Sequence, residues 1–409
     1  MAGKHPLIIT GKDEMRKWSR QMRSQGKTIG LVPTMGYLHQ GHLSLIQEAH
    51  NHSNLIVVSI YVNPGQFSPS EDLSTYPSDF HGDMLKLKSV PGGVDAVFCP
   101  KNLYDYSNDS GEKQKSENLG SGCASGLVSC VEDKGNGHET WVRVERLEKG
   151  LCGKSRPVFF RGVATIVTKL FHIVEPDVAV FGKKDYQQWR IIQRMVRDLD
   201  FAIEIVGSEI MRDRDGLAMS SRNVHLSPEE REKALSISRA LLKAKSAAKD
   251  GRVKCSELKD LAILTITKTG GRIDYAEIVD QDSLEAVTEI KSPVVFCIAA
   301  WFGKTLNACM MAEHEGETDA RNSYEEKDVM AEHEGETDAR NIKRLMMIRE
   351  VFEREKRTKE KAAREALEAQ GMIPTSVGQG AASKVSPSTT NDGASATPVA
   401  NTDPGPESK

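Results

Sequence analysis

The chain has 409 residues and a formal net charge of −3, with 28% charged and 6% aromatic residues. That length holds two or three domains, and the near-balanced charge excludes the overall basic footprint of a nucleic-acid binder. Seven cysteines without a C-x-x-C pair exclude a disulfide or zinc framework and fit a reducing compartment.

The opening MAGKHPLIIT carries neither an apolar leader nor an Arg/Ser-rich amphipathic one. The longest apolar run, Val294 to Phe302, falls short of the ~20 residues a spanning helix needs. A cytoplasmic protein without membrane or nucleic-acid partners is therefore expected.

Along the chain, TIGLV (28–32) reads as a buried strand, and LSLIQEA (43–49) after it reads as a helix. Between them lies PTMGYLHQGH, Pro33 to His42, which places two histidines at a strand-to-helix turn. Such a turn offers unpaired backbone N–H groups and the positive end of a helix dipole to an anion. Further strands are expected at 55–62, 94–100, 177–182 and 201–207, with a helix over 187–199. The alternation predicts an α/β fold, a Rossmann-like and mostly parallel sheet over residues 1–208, with ligands at the carboxyl ends of its strands.

Residues 101–140 interrupt this pattern with SNDSGEKQKSENLGSGCASG and EDKGNGHE, the signature of a long mobile insertion. Its glycines Gly120, Gly122 and Gly126 miss dinucleotide spacing by one residue. Deleting 108–136 is expected to be tolerated, since long polar loops add little closure cost.

After Ser227-Pro228 a long helix is expected over 229–251, then strands at 273–280 and 293–303. They form a second, smaller α+β domain over 209–309. Gly303-Lys304-Thr305 is read as a turn rather than a phosphate loop, because Ile298 stands where that motif needs glycine. MAEHEGETDARN occurs identically at 311–322 and 330–341, too short and polar to build a solenoid. A charged helix at 342–371 and a disordered tail from Ile373 to Lys409 complete the expected organisation, and a chain ended after Gly303 is expected to stay active.

His39 and His42, at i and i+3, share a helical face. A metal site would need a third ligand, and no Cys, Asp or Glu stands nearby at suitable spacing. A packing or capping pair is a second reading. In the third, the imidazoles bond phosphate oxygens while Gly41 lets a nucleotide approach the backbone. Three further polar loops follow: IYVNPGQF (60–67), FGKKDYQQ (181–188) and GLAMSSRN (216–223). Asn63 and Gln66 could bind a hydroxyl or carboxylate, and Lys183, Lys184, Asp185 and the Ser220-Ser221-Arg222 cluster suit a polyphosphate.

PTMGYLHQGH, VNPGQF, RPVFFRGV, FGKKDYQQ and DGLAMSSRN, in this order over about residues 6–303, resemble the pantothenate synthetase (pantoate–β-alanine ligase) family. That family belongs to the nucleotidyltransferase superfamily with HIGH-like and KMSKS-like signatures. The resemblance implies condensation of (R)-pantoate with β-alanine through a pantoyl-adenylate, with ATP as substrate, Mg²⁺ on its phosphates, and a homodimer.

The same resemblance implies that Met35, Gly36, Tyr37, Leu38, His39, Gln40, Gly41 and His42 contact ATP. It adds Gly182, Lys183, Lys184, Asp185, Met211, Met219, Ser220, Ser221 and Arg222 to the ATP set. His42 takes the position of the catalytic proton donor, with His39 and Lys184 stabilising charge. Gln66 and Gln188 match pantoate-binding glutamines, and Gln66 also lies near the β-alanine site.

Three departures stand out. Val158-Phe159 replaces a usual Gly-His, so no histidine acts there. An acidic pair associated with magnesium survives only as Asp83 beside Gly82, so no metal ligand is assigned. GKTLNACMMAEHE replaces the usual closing Arg-Leu-Ile-Asp-Asn, which puts the edge of the second domain in question. Two other readings are a related nucleotidylyltransferase and an inactive enzyme-like domain serving as a scaffold through its C-terminal extension.

Overall fold

The computed structural model describes residues 5–69, 71–104 and 138–311, the last five (307–311) by backbone alone. Most of the insertion, the second copy of the duplicated segment, the charged helix and the tail lie outside the described residues.

The first half runs β1 (Leu7–Ile9), α1 (Lys12–Ser24), β2 (Ile29–Thr34), α2 (Gln40–His52), β3 (Leu55–Ile60), α3 (Phe80–Ser89) and β4 (Ala96–Phe98). It continues through α4 (Leu151–Ser155), α5 (Phe159–Val174), β5 (Val178–Gly182), α6 (Tyr186–Asp198) and β6 (Glu204–Ser208). The second half contains α7 (Pro228–Lys249), α8 (Cys255–Thr267), β7 (Arg272–Asp280), β8 (Val294–Phe302) and β9 (Thr305–Met311).

The first six strands form one parallel sheet in the order β1-β4-β3-β2-β5-β6. From β2 the chain adds β3 and then β4 on one side, and later returns to lay β5 against the other side of β2. The carboxyl ends of β2 and β5 therefore flank a topological switch point, where open α/β sheets bind ligands. Central strands covered on both faces read as continuous apolar runs. Accordingly Ile29, Leu31 and Val32 of β2 and Ile56, Val57 and Val58 of β3 are all fully buried.

The expected strands are present, several shorter by one to three residues at their ends. Other elements come from the structure alone. The helix α5, FFRGVATIVTKLFHIV, is rich in β-branched and aromatic residues and buried over most of its length. Its few polar positions, Arg161, Thr168, Lys169 and His172, gather on one face, so the helical stripe is present and the β-prone composition obscured it. The short edge strand β1 and the helices α1, α3 and α8 were likewise not anticipated.

The smaller domain packs α7 and α8 against an antiparallel sheet of order β7-β8-β9. The start of α7 is closed by a reciprocal cap, as its Ser-Pro-Glu-Glu sequence indicates. Glu230 N–H donates to Ser227 Oγ at 3.2 Å, and Ser227 N–H donates to Glu230 Oε2 at 2.9 Å. Gly303 has φ +59° and turns β8 into β9, so Gly303-Lys304 is the hairpin turn read from sequence.

Two expectations need correction here. The segment GKTLNACMM, which put the domain edge in question, closes the second sheet: Thr305–Met311 pairs along β8 from Phe302↔Thr305 to Phe296↔Met311. A chain ended after Gly303 therefore lacks a whole strand of the second domain. The start of the 101–140 insertion is irregular chain but not a solvated loop, because Leu103 and Tyr104 are 0% and 3% exposed.

Candidate active site

A cleft of about 1300 Å³ opens above the carboxyl ends of β2 and β5 and extends beneath the loops of the second domain. Each of the four polar loops contributes to its wall.

The first loop leaves β2 at Thr34, whose hydroxyl donates to Ser59 O at 2.8 Å and accepts from Gly36 N–H at 3.2 Å. Two successive residues then take left-handed backbone, Gly36 at φ +83° and Tyr37 at φ +51°. Such a conformation is costly for tyrosine and persists only when its surroundings hold it. Here the holder is Asp83 on α3, 1% exposed, whose two carboxylate oxygens accept Tyr37 N–H at 2.8 Å and Leu38 N–H at 2.6 Å. Burial raises the Asp83 pKa, and these backbone bonds oppose the rise.

His39 follows as the residue preceding α2, and its N–H donates to His42 Nδ1 at 3.2 Å. In the neutral ring that bond puts the proton of His42 on Nε2, making this nitrogen a donor. The two rings lie 4.0 Å apart between centroids. Burial, then the Lys184 charge, lowers the pKa of His39 to about 4. Burial, then His39 and Lys184, holds His42 well below the usual histidine range. Both rings are thus neutral at pH 7. Gly41 is required beside them, since a Cβ there would sit 2.9 Å from the His39 ring.

Met35, His39, Gly41 and His42 line the cleft, together with Gly182, Lys184, Asp185 and Gln188 from the β5–α6 loop. Met211, Met219, Ser220, Ser221 and Arg222 of the second domain line it too, as does Gln66. Gly36, Tyr37, Leu38, Gln40 and Lys183 fall outside this wall. Tyr37 and Leu38 give their N–H groups to Asp83, and Lys183 Nζ donates to Glu209 Oε1 at 2.6 Å, at the edge of the cleft.

Adjacent glutamines on α6 divide their roles, because neighbours on a helix point about 100° apart. Gln187 is a buried strut, its Nε2 donating to Leu147 O at 2.7 Å and Gly150 O at 2.8 Å, while Gln188 faces the cleft. Gln66 Oε1 accepts from Asn63 Nδ2 at 2.9 Å.

Lys184 Nζ lies 3.3 Å from Asp185 Oδ1. Arg222 forks onto Asp72, a residue that motif reading did not single out. Burial alone would raise the Asp72 pKa, but the bonds and charge of Arg222 outweigh it and lower the value. Ser221 Oγ donates to Tyr37 O at 3.1 Å, tying the second domain to the histidine loop. Arg156 was also missed; it pairs with Glu71, donates to Gln66 O at 3.3 Å and stacks 3.8 Å over Phe159, the ring that replaces a histidine.

These features describe a cleft lined by neutral imidazoles and paired cations, chemistry that suits an anion. Among the described residues no group of three or more His, Cys, Asp or Glu side chains could hold a metal ion. Both Asp83 oxygens are committed to backbone, and Asp72 is committed to Arg222.

The family model Pantoate-beta-alanine ligase matches residues 7–306. The chain belongs to the pantoate–β-alanine ligase family. It is 70% identical over 300 residues to the pantoate–β-alanine ligase of Lotus japonicus, covering 73% of this chain and 96% of that protein. It is 69% identical over 298 residues to that of Arabidopsis thaliana, covering 73% and 95%. Pantothenate synthetase from Thermus thermophilus superposes with a TM-score of 0.63 at 35% identity, covering 74% of this chain and 98% of that one. The ligase from Francisella tularensis, solved with beta-gamma ATP and beta-alanine, gives a TM-score of 0.57 at 27% identity, covering 76% and 99%. The ligase family thus accounts for both domains, and its match ends inside β9.

Proposed function

We propose that this ligase condenses (R)-pantoate with β-alanine at the expense of ATP, in two steps within one cleft. The observation that carries this reading is the convergence of His39, His42, Lys184 and Arg222 with Gln66 and Gln188 around the β2/β5 switch point. The α- and β-phosphates of ATP lie along Met35, His39, Gly41 and His42, with Gly182, Asp185, Met211, Met219, Ser220 and Ser221 completing the nucleotide contacts. Pantoate is held by Gln66 and Gln188, and β-alanine enters beside Gln66.

In the first step the pantoate carboxylate attacks the α-phosphorus, and the bond to pyrophosphate breaks. Negative charge grows on the leaving oxygens, where Lys184 and Arg222 supply positive charge and His42 Nε2–H donates. In the second step the β-alanine amine attacks the carbonyl of pantoyl-adenylate, loses its proton and expels AMP. Neither step needs a protein nucleophile: the site accelerates both by positioning and by charge placed before reaction. Mg²⁺ enters as the counterion of the ATP phosphates, the usual mode for this ion. Among the described residues no helix is long and apolar enough to cross a membrane. On the family resemblance alone, a cytoplasmic homodimer is part of this proposal.

The test is product analysis with pantoate, β-alanine and ATP. Equimolar pantothenate, AMP and pyrophosphate support the proposal. AMP retained on a stable product would make the chain a nucleotidylyltransferase, and an absence of turnover would leave it an enzyme-like scaffold.

A further inference from the structure

Tyr104 lies outside every motif that identifies the family, at the root of the segment 105–137. Its side chain is nonetheless 3% exposed and points into the floor beneath Gln66. The phenol Oη donates to Asn63 Oδ1 at 2.8 Å, and Gly65 N–H donates to the same oxygen at 3.2 Å. With both acceptor positions of Oδ1 in use, Asn63 must present Nδ2 on its other side. Nδ2 donates to Gly162 O at 3.1 Å and to Gln66 Oε1 at 2.9 Å. That last bond occupies the carbonyl end of the Gln66 amide and leaves its NH₂ end for the cleft. A donor is what an anionic or hydroxyl oxygen of a substrate requires.

The ring of Tyr104 is fixed independently of its hydroxyl. It stacks on Trp141 with centroids 6.1 Å apart and meets the edge of His138 at 5.1 Å. Leu103 N–H donates to Tyr61 Oη at 3.3 Å, pinning the neighbouring backbone. A Cβ on Gly65 would stand 3.0 Å from the phenol oxygen, so glycine there leaves room for this approach. The ring therefore packs, and the hydroxyl orients.

We propose that Tyr104 is a positioning residue for pantoate, acting through Asn63 to set which end of the Gln66 amide faces the substrate. The proposal rests on the assignment of Gln66 to pantoate made above. Removing the hydroxyl leaves Asn63 Oδ1 with one donor instead of two, and the Asn63–Gln66 pair loosens. A neutral hydrogen bond of this kind corresponds to roughly a three- to tenfold effect on an equilibrium.

The experiment compares wild type, Tyr104→Phe, Gln66→Ala and the double variant in the full chain, with KM for pantoate and for ATP, kcat and thermal midpoint measured for each. Tyr104→Phe is expected to raise the pantoate KM about three- to tenfold, with ATP KM and the midpoint nearly unchanged. In the Gln66→Ala background it is expected to add nothing to the pantoate KM, because the amide it orients is gone. A pantoate KM unaffected by Gln66→Ala would overturn the Gln66 assignment itself. A raised KM in Gln66→Ala with none in Tyr104→Phe would overturn the role of Tyr104 alone. A parallel loss of midpoint, kcat and both KM values in Tyr104→Phe would show that the hydroxyl only holds the fold.

Discussion

Arg222 grips Asp72 through two parallel hydrogen bonds, Nε to Oδ2 at 2.8 Å and Nη2 to Oδ1 at 3.0 Å, across 150 residues of sequence. The pair joins the loop after β3 to the Ser-Ser-Arg loop of the second domain, and its guanidinium sits 5.3 Å from the centre of the Tyr76 ring. A planar fork can keep one carboxylate and still present N–H groups to phosphate; an ammonium cannot.

Arg222→Lys is therefore expected to slow pantoate-dependent exchange of labelled pyrophosphate into ATP by roughly 10- to 100-fold, the value of a charge-assisted hydrogen bond. Its melting curve should remain close to that of wild type. Wild-type exchange in this variant would mean that the charge matters and the fork does not.

Lys184 is expected to matter for one half-reaction only. Lys184→Ala removes a preorganised donor where pyrophosphate departs, a loss worth roughly 2.7–4 kcal/mol, or 100- to 1000-fold in adenylate formation. Aminolysis of supplied pantoyl-adenylate should continue, because pyrophosphate is absent from that step. Equal losses in both steps would make Lys184 a residue of shared positioning. No loss in either would move the charge to Lys183 or Arg222.

The histidine loop predicts a pH dependence of stability. His39 has a folded pKa of about 4, against ~6.5 for an unperturbed imidazole in the unfolded chain. Between those values the unfolded chain binds the proton more readily, so protonation favours unfolding. The His39 contribution is complete above about pH 6.5 and drains away as pH falls toward 4. Urea unfolding of wild type and His39→Asn from pH 7.5 to 4 isolates this effect from other groups. The variant should lose less stability over that interval; identical losses would show that His39 titrates normally.

The hairpin at the end of the described chain makes a different prediction from the sequence alone. A chain ended after Gly303 loses β9 and uncovers the edge of β8, whose Phe296, Cys297, Ile298, Ala299 and Ala300 are all 6% exposed or less. An exposed, apolar strand edge promotes aggregation. Truncation after Gly303 should give little soluble protein, and truncation after Met311 should keep both half-reactions. Soluble, active protein ending at Gly303 would show β9 to be dispensable.

Much of this protein was legible in one dimension because its signals are local. Apolar runs gave β2, β3 and β5, and Ser227-Pro228 marked the start of α7, where the cap bonds span only three residues. The four polar loops follow from chain order in a parallel sheet, where polar residues after strands collect at one edge. Their motifs carried the family. Tertiary structure alone decided which side chains hold those loops in shape. Asp83 reaches the Tyr37 turn across 46 positions and Tyr104 reaches Asn63 across 41. Asp72 and Arg222 meet only because α5, β5 and β6 bring the second domain over the cleft. The same distinction explains α5, whose β-prone residues became a helix because packing of its apolar face overrode a weak local preference. Hydrogen bonds between distant residues leave no period or spacing in the sequence, so packing was needed to specify them.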